Sequence, residues 1–377
     1  LYRVRGSKSS SFIAGTILLN PILAAERGYA VCIQEVRGRG SSGGEWHPFI
    51  HEAEDGWDAM EWLIAQPWCN GRVGSYGTAY TGIAALELAG TGHPNLEAVV
   101  AIVSGVSPHD GWVYTNGAFE LGWDNFWAHL TAGTSLKRLD IDEDRRTKLL
   151  ANLQDVMAHP DESMDVLPLR SQPALEKASP HYWSWLDHNN YDEYWERLDV
   201  VAQADQITAR VLGITGWWDN FLGSHLQLYE ALRERSPNGA DQRLVIGPWD
   251  HFTYVNVLPT TAGAKNYGPA GIAGAAPVSE PAALAWFDRW LRDLPSEEAE
   301  PGVRWFASGS YDWRFDQTWP PASEPTSLYL TADGGLAGDA PAEGSSVGYR
   351  YDPADPTPTI GGRTLMPSVA AAGVQDQ

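Results

Sequence analysis

The sequence predicts an α/β fold in which helices cover both faces of a parallel sheet. Three observations support this prediction. Short apolar runs, typical of buried strands, alternate with helical patterns over residues 12–105, and the alternation stops over residues 107–205 and resumes afterwards. Beyond about residue 300, short strand patterns are separated by Gly, Pro and Asp, which predicts an antiparallel β region.

The first part of the chain, residues 1–106, contains three helical patterns and three strand patterns. Gly28 and Pro67 end the first two helical patterns, as expected of residues that stop helices. The predicted helices are 12–28, 52–67 and 81–90, and the predicted strands are 29–36, 72–76 and 96–106.

Residues 107–205 are rich in Trp and charge and have helical periodicity, but they contain no apolar run of strand type. We interpret them as a helical insertion, in which 140–159 is the clearest helix. The alternation resumes over 206–299. Strands are predicted there at 209–216 and 242–248, and helices at 221–235 and 282–294.

The last region, residues 300–377, contains strand candidates at 303–310, 327–334 and 346–352. A β-sandwich of ordinary size needs more strands than these. We therefore expect this β domain to be incomplete, or to be completed by another chain.

Composition limits the class of partner. The formal net charge is −22 and only 26 residues are Lys or Arg, so neither nucleic acid nor an anionic membrane is an expected partner. The sequence has no apolar stretch long enough to span a membrane. Its start lacks a signal-peptide pattern, but it does not begin with Met, so a preceding leader stays open. We expect Cys32 to be a buried thiol, and the pair Cys32 and Cys69 predicts no disulfide framework and no thiolate metal site.

The stretch GSYGTAYTGIAAL, residues 74–86, joins a predicted strand to a predicted helix through a glycine-rich turn. A nucleophile elbow has this form, with the nucleophile on a strained turn between small residues. The nucleophile position is Ala79, and the backbone N–H of Tyr80 would bind the oxyanion. An ordinary glycine-rich turn explains this stretch equally well when it is taken alone. Ser75 is a rival nucleophile, but it lies within the strand.

Asp219 and His251 each come directly after a predicted strand. An α/β-hydrolase has its nucleophile, acid and histidine in this chain order, at the carboxyl ends of strands. The carboxylate would hold the imidazole in one tautomer, and the imidazole would accept the proton of the nucleophile. Alternatively, Asp219 caps the helix that follows it and His251 is a buried structural histidine. Asp250 is a second acid, but a side chain next to His251 in the chain points away from it, so we prefer Asp219.

Together these stretches resemble the cocaine esterase and X-prolyl dipeptidyl aminopeptidase group of α/β-hydrolases (CocE/NonD), which includes the α-amino-acid ester hydrolases. In that family the elbow reads Gly-x-Ser-Tyr-x-Gly; here Gly77, Tyr80 and Gly82 match, and Ala79 replaces the serine. The matching stretches are AERGYAVCIQEVRGRGSSGGEW, DGWDAMEWLIAQPWCNGRVGSYGTAYTG, GWWDNF, GPWDH and YDPADPTPTIGG. The resemblance implies an α/β-hydrolase core (1–106 and 206–299), a helical cap (107–205) and a partial C-terminal jelly roll (300–377).

The chain departs from the family pattern in two further ways. The family has a Tyr in an Arg-Thr-Pro-Tyr-Gly-Lys-like stretch whose hydroxyl helps to hold the oxyanion, whereas residues 3–8 read RVRGSK. Either this second donor is absent or the segment lacks residues. The first strands of the family fold and most of the jelly roll are also missing, so we expect the sequence to be a piece of a longer chain.

Three explanations compete for Ala79: a deliberate replacement of the serine, a natural pseudo-enzyme, and a misread motif. The matched acid and histidine argue against the third. A long-retired site would tend to relax the strained turn or lose Asp219 and His251, so we favour deliberate replacement. The chain as it stands is then expected to be inactive.

The resemblance implies a serine hydrolase that cleaves an ester or amide through an acyl-enzyme, with no metal or organic cofactor. Its substrate would be a small-molecule ester, an amide or a short X-Pro peptide, in a cytoplasmic setting. Trp218, Phe221 and Trp249 are predicted walls of the pocket, with core packing as the alternative. The cap acids that could recognise an amine, although solvated surface charge is the preferred interpretation, are Asp140, Asp142 and Glu143.

Two other classes of function stay open at this point. A pseudo-enzyme would bind a small molecule or peptide in the same pocket without turnover. An interaction role would follow if the incomplete sandwich exposed unpaired strand edges, which would favour a homo-oligomer.

Overall fold

The computed structural model describes residues 1–8, 19–251, 261–262, 265–273, 280–295, 302–342, 344 and 346–365. The helices in this part of the chain are α1 (Pro21–Glu26), α2 (Glu52–Ile64), α3 (Tyr80–Gly90), α4 (Leu121–Leu136), α5 (Glu143–Ala158), α6 (Pro160–Met164), α7 (Leu175–Ala178), α8 (Pro180–Asp187), α9 (Glu193–Glu196), α10 (Leu222–Arg235), α11 (Ala270–Ala273) and α12 (Glu280–Arg292).

The strands over the same residues are mostly short. They are β1 (Tyr2–Val4), β2 (Ile33–Glu35), β3 (Val73–Thr78), β4 (Leu96–Ile102), β5 (Tyr114–Thr115), β6 (Ala118–Phe119), β7 (Arg210–Trp218), β8 (Arg243–Asp250), β9 (Thr261–Ala262), β10 (Lys265–Asn266), β11 (Val303–Ala307), β12 (Asp312–Asp316), β13 (Tyr329–Leu330) and β14 (Leu336–Ala337).

The central sheet has six strands in the order β12-β11-β8-β7-β4-β3. Every pair is parallel except β11 with β12. Alternate residues of β4 enter different hydrophobic groups: Val100 packs with α12, and Val99 packs with α2, α3 and α10. The predicted parallel sheet covered on both faces is therefore confirmed.

The strand β1 lies beside β3 and extends this arrangement. The backbone nitrogen of Leu1 donates to the carbonyl of Gly74 at 2.6 Å, and the Tyr76 N–H donates to the carbonyl of Leu1 at 3.2 Å. In a parallel pair these two bonds set Leu1 opposite Ser75. The rings of Tyr2 and Tyr76, the next residues along, stack with centroids 4.8 Å apart. On its other side, β1 pairs in parallel with β2.

The predicted helices and strands of residues 52–106 and 206–250 are confirmed, with ends that differ by a few residues. The first predicted helix is confirmed only as α1, which Asn20 caps; residues 12–18 lie outside the described part. The strand predicted at 29–36 is shorter in the structure, because only Ile33–Glu35 pairs with β1. Cys32 is half-buried rather than buried, and both cysteines are free. None of the helices described here is both long and apolar enough to cross a membrane.

Residues 121–196 form six helices, α4 to α9. Four of them, α4, α5, α7 and α8, share one hydrophobic group around Ala132, Leu153 and Tyr182. The helix predicted at 140–159 is confirmed as α5, with Asp142 as its N-cap. The short antiparallel pair β5 and β6 precedes these helices. Its two-residue strands are too short to produce a strand pattern in the sequence.

The C-terminal strands differ from the sequence-based expectation. The strand predicted at 303–310 is β11, but it pairs in parallel with β8 and so joins the central sheet instead of a separate sandwich. The strand predicted at 327–334 is the two-residue β13. The described residues of 346–352 form no strand, so that prediction was wrong. Tyr349 and Tyr351 in this stretch are exposed, and without a packed partner face they have no reason to pair.

Candidate active site

Ala79 occupies the turn between β3 and α3, with φ 46° and ψ −123°. A side chain other than glycine rarely adopts a positive φ, and such strain costs about 1–3 kcal/mol. The turn is held from both sides. The Ala79 N–H donates to the carbonyl of Ile102 at 2.9 Å, and the Ala79 carbonyl accepts from Gly82 and Ile83 at 3.0 Å each. The backbone thus has the sharp, over-determined form of an elbow.

Two glycines of the motif are required by space. A Cβ on Gly77 would lie 2.3 Å from the backbone carbonyl of Thr81, and a Cβ on Gly82 would lie 1.8 Å from Oγ of Ser104. The rival nucleophile Ser75 is buried within β3, where its hydroxyl donates to the carbonyl of Leu1 at 3.3 Å. That hydroxyl is part of the sheet and not of the turn.

Tyr80 is the first residue of α3, so its backbone N–H has no acceptor within the helix. Its side chain is buried, and the hydroxyl donates to Oε1 of Glu52 at 2.5 Å and accepts from Nε1 of Trp46 at 3.2 Å. Glu52 in turn pairs with Arg3 at 2.6 Å. Burial first, and the neighbouring Glu52 second, raise the pKa of Tyr80 well above its usual value. The network keeps this phenol neutral and ties the elbow to β1.

The structure brings Asp219 and His251 together. Trp218 of β7 pairs with Asp250 of β8, after a register shift between Gly216 and Trp218. The residues that follow this pair, Asp219 and His251, are therefore brought close to each other. Nδ1 of His251 lies 3.4 Å from Oδ1 of Asp219, and both side chains are buried. Oδ1 of Asp219 also accepts from the Phe221 N–H at 2.8 Å.

Oδ1 of Asp219 is thus shared between the imidazole of His251 and the backbone of the turn before α10. The alternative interpretation of Asp219 as a helix cap needs correction, because α10 begins at Leu222 and its N-cap is Phe221. The other acid, Asp250, is the buried last residue of β8.

Position 79, Asp219 and His251 follow β3, β7 and β8 at one edge of the sheet. Thr78 pairs with Ile102, and Ile102 pairs with Ile214, so β3 and β4 end at the same level, whereas β7 and β8 continue to the pair Trp218 and Asp250. Convergence at the carboxyl edge is the usual origin of sites in open α/β sheets.

A continuous set of aromatic rings runs from the histidine to the elbow. The Phe221 ring lies 5.3 Å from the His251 ring, and Trp112 stacks on Phe221 at 4.7 Å. Trp127 lies 5.4 Å from Trp112, and its ring stacks on Tyr80 at 6.3 Å. Trp112 and Trp127 come from the predicted cap, which therefore covers this side of the site.

The three residues predicted to line the pocket lie in different parts of the structure. Phe221 contacts the histidine, whereas Trp249 is fully buried in the group that includes α12, and Trp218 packs with Tyr267 and Phe306. A role for the two tryptophans in the pocket stays a prediction. The three cap acids are exposed at the start of α5, in agreement with solvated charge; they are Asp140, Asp142 and Glu143.

A cavity of about 360 Å³ opens beside Asn220, the neighbour of Asp219. Sequence reasoning missed its walls, since no local pattern connects the cap with the end of the chain. Leu365 from the C-terminal segment is buried in the same group as Phe221. Its lining includes Trp112, Glu120, Trp123, Asn220, Arg363 and Leu365.

An open, mostly parallel sheet with a strained strand-to-helix turn and an Asp–His pair at its carboxyl edge defines the α/β-hydrolase class. Comparison with known families narrows this class. The model of the X-Pro dipeptidyl-peptidase (S15) family matches residues 4–253, and the chain belongs to this CocE/NonD family. The resemblance inferred from the motifs is thereby confirmed.

Individual relatives agree with this membership. The chain is 32% identical over 363 residues to cocaine esterase of Rhodococcus sp. (strain MB1 Bresler), covering 90% of this chain and 60% of that protein. An aminopeptidase of a marine sediment Thaumarchaeota archaeon has a similar fold (TM-score 0.67, 24% identity, 90% of this chain and 56% of that one). So does an α-amino acid ester hydrolase (TM-score 0.67, 22% identity, 95% and 61%). The chain thus spans about 60% of the length of the relatives it matches.

Proposed function

We propose that this chain derives from a serine hydrolase that cleaves a carboxylic ester or amide through an acyl-enzyme. A serine at position 79 would attack the carbonyl, His251 would accept and return the proton, and Asp219 would orient the imidazole. The backbone N–H of Tyr80 would bind the oxyanion. The observation that supports this most is the pairing of His251 with Asp219 at the sheet edge where the strained turn at Ala79 also lies.

The proposal also gives a role to each region of the chain. Residues 1–106 and 206–299 form the hydrolase core, and 107–205 form a cap that roofs the pocket and selects the acyl group. The aromatic contacts of the cap residue Trp112 support this role. Because β11 and β12 belong to the central sheet, only the residues that follow them are assigned to the start of a jelly roll.

Restoring the hydroxyl tests the proposal. We expect Ala79→Ser to raise kcat by about 10⁶, because removing a triad serine lowers it by about that factor. The assay is a panel of 4-nitrophenyl esters, α-amino-acid esters and X-Pro anilides, with the acyl-enzyme burst as a second readout. The matched control is Ala79→Ser combined with His251→Ala, which leaves the serine without its base. A folded Ala79→Ser protein without a burst would contradict the assignment.

A second candidate, a small-molecule or peptide binding protein, is favoured by one observation. Ala79 removes the nucleophile while the Asp–His pair stays in place. This candidate predicts that esters bind to the Ala79→Ser protein without turnover. The same panel therefore separates the two, once binding is followed by calorimetry alongside product release.

A further inference from the structure

Two arginines lie beside the elbow and outside the proposed triad. β1 is in register with β3 so that Leu1 stands opposite Ser75. Four residues further along, just beyond the ends of β1 and β3, the same register sets Arg5 level with Ala79. Arg5 as a whole is half-buried, and its Cζ lies 5.7 Å from the centroid of the Trp127 ring.

The second arginine, Arg39, comes from the loop after β2. It is 1% exposed. Its Cζ stacks 3.5 Å over the Trp46 ring, and Nη1 donates to the carbonyl of Thr131 at 3.2 Å. The Trp46 and Trp127 rings lie 5.6 Å apart, so the two guanidinium groups cover neighbouring rings of one aromatic cluster.

Arg39 lacks the anion that its burial calls for. Among the residues that the structure describes, its Nε and Nη2 have no hydrogen-bond partner. Burial first, and the charge of Arg5 second, lower the pKa of Arg39 to about 9. The undescribed stretch nearest in sequence to Arg5, residues 9–18, contains neither Asp nor Glu.

A buried charge without a partner is unfavourable by several kcal/mol, more than stacking on an aromatic ring recovers. The neighbouring His181 adds no counter-charge. It is fully buried, its two ring nitrogens are unpartnered in the described structure, and its ring lies 5.3 Å from Trp46. The carboxylate of Glu52, which accepts from the Tyr80 hydroxyl, is already paired with Arg3.

We propose that Arg5 and Arg39 form a binding site for a carboxylate next to position 79. A planar carboxylate matches the fork of a guanidinium, and the flat walls of Trp46 and Trp127 suit the carbon chain of an organic acid. Resting on the proposed function, this site makes the preferred substrate an ester or amide whose acyl group ends in a carboxylate.

Binding to the chain as it stands, with Ala79, tests the site without any turnover. The probe is glutarate, titrated by calorimetry, with inorganic phosphate as a second probe. We expect Arg5→Gln and Arg39→Met each to raise the Kd for glutarate at least tenfold, the usual effect of losing a charged hydrogen bond. Arg145→Gln removes one charge from the exposed start of α5 and should change nothing. No glutarate binding, or phosphate binding more tightly than glutarate, would overturn the proposal.

The second test measures turnover by the Ala79→Ser protein. The substrates are the 4-nitrophenyl monoester of glutaric acid and 4-nitrophenyl pentanoate, which replaces the carboxylate by a methyl group. We expect Arg5→Gln to lower the ratio of the two kcat/KM values, anionic over neutral, at least tenfold. Because Arg5 is half-buried, this variant should fold even if Arg39→Met does not, and circular dichroism checks it.

The outcomes separate the two proposals. An equal loss for both esters would mean that Arg5 acts on the reacting carbonyl, and it would overturn the carboxylate site. Unchanged kcat/KM values for both esters would also overturn it. If Ala79→Ser cleaves neither these two esters nor any substrate of the panel above, the proposed function fails, whereas the glutarate titration still decides whether the anion site exists.

Discussion

The backbone at position 79 holds a conformation that an alanine has no reason of its own to adopt. Its φ of 46° is kept by hydrogen bonds from both flanks and by the close approach that Gly77 permits. Strain of this kind persists where the surroundings over-determine it. The turn therefore has the backbone form of a nucleophile elbow, although position 79 carries only a methyl group.

At the same scale, the acid partner of His251 can be tested directly. In the Ala79→Ser protein we expect Asp219→Asn to lower kcat by about 10⁴, because the amide no longer holds the reactive tautomer. Asp250→Asn is the matched control, since Asp250 precedes the histidine and is also buried. Its loss should be far smaller. Steady-state kinetics on one 4-nitrophenyl ester decide the matter, and a larger loss for Asp250→Asn would reverse the assignment.

Among the elements, the unit from β3 to α3 carries most of the site. Its strand ends in the turn, and its helix begins with Tyr80, whose hydroxyl bonds to Glu52 on α2. The register between β7 and β8 then brings the acid loop against the histidine. Each side chain of the proposed triad is thus set by the end of a strand, where backbone positions are most firmly held.

Packing at the turn leads to an element-scale prediction. A Cβ on Gly77 would meet backbone atoms that have no room to move. We expect Gly77→Ala to lower the free energy of unfolding by about 1–3 kcal/mol. Gly223→Ala, in the first turn of α10 with open space around it, should be neutral or stabilising by up to about 1 kcal/mol. Urea denaturation of both variants measures this, and equal stabilities would show that the turn tolerates a methyl group.

At the scale of the whole molecule, the charge is distributed unevenly. The formal net charge is −22, yet two arginines, Arg5 and Arg39, contact aromatic rings near the elbow, and the acid Glu87 is buried on α3. Glu87 on α3 is 3% exposed, and within the described residues its two oxygens have no hydrogen-bond partner. Burial first, and the charge of Glu52 second, raise the pKa of Glu87 well above its usual value.

This buried acid makes the stability of the molecule depend on pH. The native state keeps the proton of Glu87 at pH values where the unfolded chain has lost it, so stability falls as pH rises above about 4.5, up to the raised pKa. Glu87→Gln should remove this contribution, so its advantage over the parent grows by up to about 1.4 kcal/mol per pH unit within that range.

Urea titrations between pH 5 and pH 8 measure the difference. The control is Glu230→Gln on the exposed side of α10, which should leave the pH dependence unchanged. Parallel curves for the parent and Glu87→Gln would contradict the prediction.

Much of this could be predicted from the sequence, because the signals are local. Apolar spacing predicted the helices and strands of the core, and the glycine-rich turn drew attention to position 79. Asp219 and His251 were found because each comes just after a strand, and strand ends at one edge converge whatever the details of packing.

Other features depend on pairing between distant parts of the chain, and only the tertiary structure decided them. It set Arg5 level with Ala79, joined β11 to β8 and brought Leu365 to the site. The direction of a side chain also depends on what packs around it, so Trp249 lies in the core while Phe221 meets the histidine. The spacing of apolar residues along the chain determines whether a segment forms a helix or a strand, whereas register and packing determine which segments it contacts.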